Sequence, residues 1–219
     1  MLGNLQKLIV SKGNAENLDL GQLLTTGGER QWSASLQSLV IFRPPDGLGW
    51  CRAVAGLHSL TRLELYDLHR CSVDVEVLEP VLGRLEHLAL SWRHPHLLET
   101  AFLRAVLGSL VPGRLKHLGL LTNLAVREDG AQQEEAFEPY FLAMEYPAGL
   151  PRQLPVPVQG PRPMTRFEAL FEQWPHGRAL AAGLTGLHLG DVHLELLGKV
   201  VAAMPALEHL NFVADWKVK

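Results

Sequence analysis

The chain has 219 residues, 47% of them hydrophobic, with 20 Lys and Arg against 23 Asp and Glu for a formal charge of −3. Such a composition suits a chain that buries a core and excludes wholesale disorder. The charge, without a basic stripe, argues against a nucleic-acid partner. No run approaches the ~18 uncharged apolar residues of a membrane helix, and Lys7 stands where a signal peptide needs its apolar run. Two cysteines, Cys51 and Cys71, cannot build a disulfide framework, so a reducing, intracellular setting (cytoplasmic or nuclear) is expected.

Along the chain one phrase keeps returning: apolar, two residues, apolar, one residue, apolar. It occurs as LQKLIV from Leu5, LQSLVI from Leu36, LTRLEL from Leu60 and LEHLAL from Leu85. It continues as LKHLGL from Leu115, LTGLHL from Leu184 and LEHLNF from Leu207. All the spacings except Leu115 to Leu184 lie in or near a ~20–29-residue repeat period. The last four residues of each phrase read as a strand. Side chains alternate across a strand, so Leu63 and Leu65 point one way while Arg62, Glu64 and Tyr66 point the other. One phrase cannot bury its leucines alone, and the rungs must associate.

Between the phrases lie helical patterns. Leu98, Phe102, Ala105 and Val106 make an apolar helical face that Pro112-Gly113 ends. Residues 124–164 break the repeat: an acidic stretch (Glu128, Asp129, Glu134, Glu135, Glu138) precedes a proline-rich one, Tyr146 to Pro163, and the whole reads as a loop. A cryptic rung at Phe137, Tyr140 and Leu142 is an alternative for part of it. Order resumes at Thr165, whose TRFE sequence is a capping box with Glu168. Phe167, Leu170, Phe171 and Trp174 then form a helical face that Pro175 closes. Leu194, Leu197, Val201 and Met204 predict a last helix, stopped by Pro205.

Strand, turn, helix and strand, repeated, resemble the leucine-rich-repeat family, in the irregular form seen in ribonuclease inhibitor and in F-box substrate receptors. The resemblance covers Leu5 to about Val213 apart from the interruption. In the family an Asn or Cys often follows the last strand leucine by three residues. Asn123 fits, whereas Gly13, Pro44, Leu68, Arg93, Val192 and Asp215 depart from it. The segment LTRLELYDLHRC, with Cys71, is similar to the cysteine-containing repeats of F-box proteins. The resemblance implies an α/β fold over residues 1–219: a single leucine-rich-repeat solenoid, with a parallel sheet on the concave side and helices on the convex side.

Catalytic signatures are absent. Gly198-Lys199 lacks the rest of a phosphate loop, no nucleophile elbow or zinc-spaced cysteine pair occurs, and no two carboxylates form an evident acid/base couple. No enzyme activity, cofactor, bound metal or small-molecule substrate is expected. His87, His117 and His209 share one place in the phrase, which would align them on the concave face; solvated strand histidines explain that more simply than a metal site, which also needs a third ligand and a second shell. Aromatic and arginine residues dominate binding hot spots. The candidate contact surface therefore comprises Phe42, Arg62, Glu64, Tyr66, His87, Trp92 and His117. The function expected is that of a protein–protein interaction module, as in the substrate-recognition region of an F-box-type ubiquitin ligase receptor. The alternatives are a sensor or scaffold arm of another multidomain protein and, remotely, an enzyme.

Overall fold

The computed structural model describes residues 5–11, 32–45, 49–68, 73–92, 100–121, 165–190 and 194–212. Every phrase is a strand: β1 (Lys7–Ser11), β2 (Ser38–Phe42), β3 (Arg62–Leu68), β4 (His87–Trp92), β5 (His117–Leu121), β6 (Gly186–Leu189) and β7 (His209–Phe212). They form one sheet in chain order, parallel throughout. Equivalent phrase positions lie opposite one another, so Leu8, Leu39, Leu63, Leu88, Leu118, Leu187 and Leu210 form a single row. At each step the carbonyl of the second phrase residue accepts two N–H groups from the next rung. Gln37 O takes those of Thr61 and Arg62, Thr61 O those of Glu86 and His87, and Lys116 O those of Thr185 and Gly186. The ladder passes directly from β5 to β6, with Leu118 opposite Leu187. The acidic and proline-rich stretches, the cryptic rung, Cys71 and Asn123 lie outside the described residues.

The helices are α1 (Trp32–Ser35), α2 (Gly49–Ala55), α3 (Val75–Leu82), α4 (Thr100–Gly108), α5 (Pro175–Gly183) and α6 (Leu194–Ala203), with a π-helical turn at Glu168–Glu172. Asp74 caps α3, its carboxylate accepting the Val77 N–H at 3.2 Å. Sheet and helices meet over one face: Leu63, Leu88 and Leu90 share an apolar contact region with Leu78, Leu82, Phe102 and Val106. Leu39, Leu63, Leu88, Leu118 and Leu187 are each 3% exposed or less. Truncating any of them to Ala would cost on the order of 2–5 kcal/mol. None of the described helices is long and apolar enough to cross a membrane.

Two predicted helix faces are borne out in part, with Val106 and Met204 buried but Ala105 and Val201 exposed. In α4 the core takes Leu103, Val106 and Leu107, Phe102 is partly buried, and Ala105 is exposed; Leu98 lies outside the described residues. In α6 Leu196, Val200 and Met204 are buried, Leu197 is partly so, and Val201 is 58% exposed. Ala105 is small and lies toward the Arg104 side of its helix, and Val201 borders the apolar face of α6 that Val200 and Leu196 centre.

The segment after Thr165 differs more. Its capping box forms: the Thr165 N–H donates to Glu168 Oε2 at 2.7 Å and the Glu168 N–H to Thr165 Oγ1 at 3.3 Å. Phe167, Leu170 and Phe171 are buried as predicted and Trp174 partly so. Instead of one helix closed by Pro175, however, a π turn ends at Glu172, with the Gln173 N–H donating to Glu168 O. Trp174 is extended, and Pro175 opens α5. Proline disfavours helical backbone in the residue before it and needs no partner at a first helical position, so one residue both ends the turn and starts the next helix. Two contacts seat this unit against α4. Arg104 Nη2 donates to Ala169 O at 3.1 Å, and His176 Nε2 lies 3.0 Å and 3.1 Å from Leu107 O and Leu110 O.

Gly177 is what lets α5 fold back on the π turn, because a Cβ there would stand 1.6 Å from Leu170 O. A Cβ at Gly198 of α6 meets nothing within 4 Å. Gly177→Ala is therefore expected to lose about 3 kcal/mol or more, and Gly198→Ala to gain about 0.5–1 kcal/mol through helix propensity. Urea unfolding of the two variants checks the contrast.

Candidate functional site

The sheet face turned away from the helices carries the polar half of each strand. At its centre is a buried carboxylate. Glu64 is 7% exposed, yet both of its oxygens are engaged. Oε1 accepts from Arg62 Nε at 2.7 Å, faces Arg62 Nη2 at 2.5 Å and lies 3.3 Å from His87 Nε2. Oε2 accepts the Tyr66 hydroxyl at 2.8 Å. Alternation along β3 brings Arg62, Glu64 and Tyr66 to one side, and register adds His87 of β4 opposite Arg62. Burial pushes the Glu64 carboxyl up, but the Tyr66 and Arg62 hydrogen bonds and the Arg62 charge outweigh it and leave it below the usual range. The Tyr66 phenol is driven to about 12 by burial and by its bond to Glu64. Burial, then the Arg62 charge, lowers His87 to about 4. The neutral ring can donate to Glu64 only as the tautomer with its proton on Nε2.

Around this cluster the candidates separate. Phe42 is 39% exposed and stacks on Tyr66 with ring centroids 5.0 Å apart. His117 lies beside His87, centroids 5.6 Å apart, as the shared column position requires. Trp92 is not part of the group. It is 9% exposed, opposite Leu68, and meets Phe102 edge-on. Counting by twos from Leu88 and Leu90 puts it on the helix side, which corrects its assignment to the contact surface. Among the described residues no three His, Cys, Asp or Glu are grouped to hold a metal ion.

Two features escaped the candidate set. One is an open hollow of ≈ 460 Å³ running from β3 to β7. Its floor is low where Ala89 and Gly119 stand side by side on β4 and β5, whereas Gly186 of β6 stands opposite His117, whose ring occupies the space the glycine leaves, 2.1 Å from where a Cβ would be. His188, His209 and Asn211 line the far side. These positions belong to the same columns, but small residues carry no chemical signal of their own. The other is a pair of left-handed residues at strand ends, Arg43 (φ 54°) and Asp67 (φ 59°), whose side chains bond at 2.5 Å. Asp tolerates that conformation; nothing local marks Arg43. No protein-family model, curated protein or solved structure matches the chain.

Two predictions follow from the buried carboxylate. Tyr66→Phe removes one donor from Glu64 and is expected to cost about 1–2 kcal/mol, measured by urea unfolding at pH 7. The second concerns pH. Unfolded His87 protonates near its ordinary value of about 6.5, while the folded ring waits until about 4. As pH falls between those values only the unfolded state gains the proton, so stability drops. Glu64, held low, adds a loss as pH falls through the carboxylate range. His87→Gln should abolish about 1–2 kcal/mol of the decline from pH 6.5 to 4, allowing for the partial exposure of the ring. Parallel curves for the variant and the parent would show that His87 is not the group responsible.

Proposed function

We propose that the chain is a leucine-rich-repeat solenoid and works by binding a protein partner on the open, concave sheet face rather than by catalysis. The observation that carries this reading is the Arg62–Glu64–Tyr66–His87 cluster with Phe42 stacked on its tyrosine. A carboxylate held by three neighbours fixes the side chains around it before any partner arrives. Rigid aromatic and arginine groups lose little entropy on binding, which is why such groups concentrate affinity. The in-register parallel strands and one-sided helices support the solenoid geometry. The finer reading, the substrate-recognition region of an F-box-type ubiquitin ligase receptor, rests on the resemblance of the repeats.

The test places a photo-crosslinking amino acid at Phe42 and, separately, at Val201, which is exposed on α6. In cell lysate, discrete protein adducts are expected at Phe42, suppressed by excess unlabelled chain, and none at Val201. Adducts at Val201 alone, or at neither site, would overturn the assignment of the open face. A captured protein stabilised by blocking ubiquitylation would support the finer reading.

A further inference from the structure

Three imidazoles on the open face surround one missing side chain. Register places His117, Gly186 and His209 in a single row across β5, β6 and β7. His188 follows Gly186 by two residues on β6, so it leaves the sheet on the same side. The point above Gly186 is therefore open to all three rings. His117 already turns into it, with Nδ1 2.1 Å from where a Cβ would stand. Strands ~4.8 Å apart and a two-residue rise of ~6.6 Å put His117 and His209 about 10 Å apart and His188 about 8 Å from each. The centre of that triangle lies about 5 Å from every corner, the reach of an imidazole and its ~2.1 Å bond to zinc.

The donors suit one class of ion. Imidazole nitrogens bind zinc, copper, iron and nickel, whereas calcium and magnesium take oxygen. A lysine or arginine nearby would oppose a cation, but the one that lines the hollow, Arg62 on β3, is paired with Glu64. Glu208, an exposed carboxylate next to His209, adds attraction. Asn211 stands opposite His188 and His87 beside His117, so a polar group neighbours each of those rings, as at metal sites whose ligands are held by outer partners. The rings are not gathered round one point as they stand. His209 is exposed and His188 half-buried, so both turn about their side-chain bonds without disturbing the core. We propose that His117, His188 and His209 form a three-histidine site for a divalent transition-metal ion of the zinc type above Gly186. Three protein ligands leave the fourth tetrahedral position of zinc open to water or to a donor from outside the chain. The site stands whether or not the same face binds a protein.

The experiment titrates Zn2+ into the purified full chain, free of any polyhistidine tag, by isothermal calorimetry at pH 7. His188→Gln, His209→Gln and Gly186→Ala are compared with the parent, and His58→Gln, exposed between α2 and β3, is the control. Urea unfolding without zinc confirms that each variant is folded. The parent is expected to take up one ion. Each of the two hollow histidine variants should weaken uptake about tenfold or more, since loss of even a supporting group at a metal site does as much. Gly186→Ala should also weaken it with every histidine kept, because the new Cβ takes the point into which His117 turns. His58→Gln should bind as the parent does. No uptake by the parent, or uptake equally strong in His188→Gln and His209→Gln, would overturn the site. Uptake unaffected by Gly186→Ala would overturn its placement above β6.

Discussion

A leucine on one strand of this sheet has no shelter of its own. Leu63 becomes 0% exposed only because Leu39 and Leu88 stand beside it in the same row and helix residues lie beneath. Parallel pairing in register makes the row continuous, since a slip of one residue would turn every leucine to water. The doubled hydrogen bonds onto Gln37, Thr61, Lys116 and Thr185 lock that register at the entrance of each strand. Cohesion thus lies between rungs, and burial is weaker on the first and last of the described strands. Leu8 and Leu210, on the outermost strands, are only partly buried.

Because the core is built entirely on the helix side, the other face is free of packing duty. There the sequence carries a feature that stability alone would not favour. A carboxylate at 7% exposure costs several kcal/mol in lost hydration unless it is paired and hydrogen-bonded. Arg62, Tyr66 and His87 offset that, but an apolar residue at position 64 would need none of them. Val40 and Ala89, the neighbours of Glu64 in its row, show that the position accepts apolar groups. What Glu64 adds is orientation: it holds a guanidinium, a phenol and an imidazole in one arrangement.

Strands and their register were legible because a period of two leaves no ambiguity once one face is apolar, and the seven phrases share one grammar. Helix existence was legible, but helix phase was not. Val201 is as apolar as buried Val200, and which of the two packs is decided by the sheet beneath. Pro175 was legible as a break, but whether a proline ends one helix or begins another depends on where the chain must go next. Here it must return toward α4, which His176 touches. The Phe42, Arg62, Glu64, Tyr66, His87 and His117 grouping followed from column arithmetic. Its internal chemistry did not, since nothing in a strand pattern says that Glu64 is buried, bonded to Arg62 and Tyr66 and set against His87.

The hollow shows the same limit from the opposite direction. Ala89 and Gly119 are informative for what they omit, and only register reveals that the omissions fall side by side. A Cβ on Gly119 would sit 2.9 Å from that of Ala89, so the backbones leave no room for a larger residue there without displacement. The depression is thereby fixed by close packing of the rungs and does not depend on a mobile side chain moving aside.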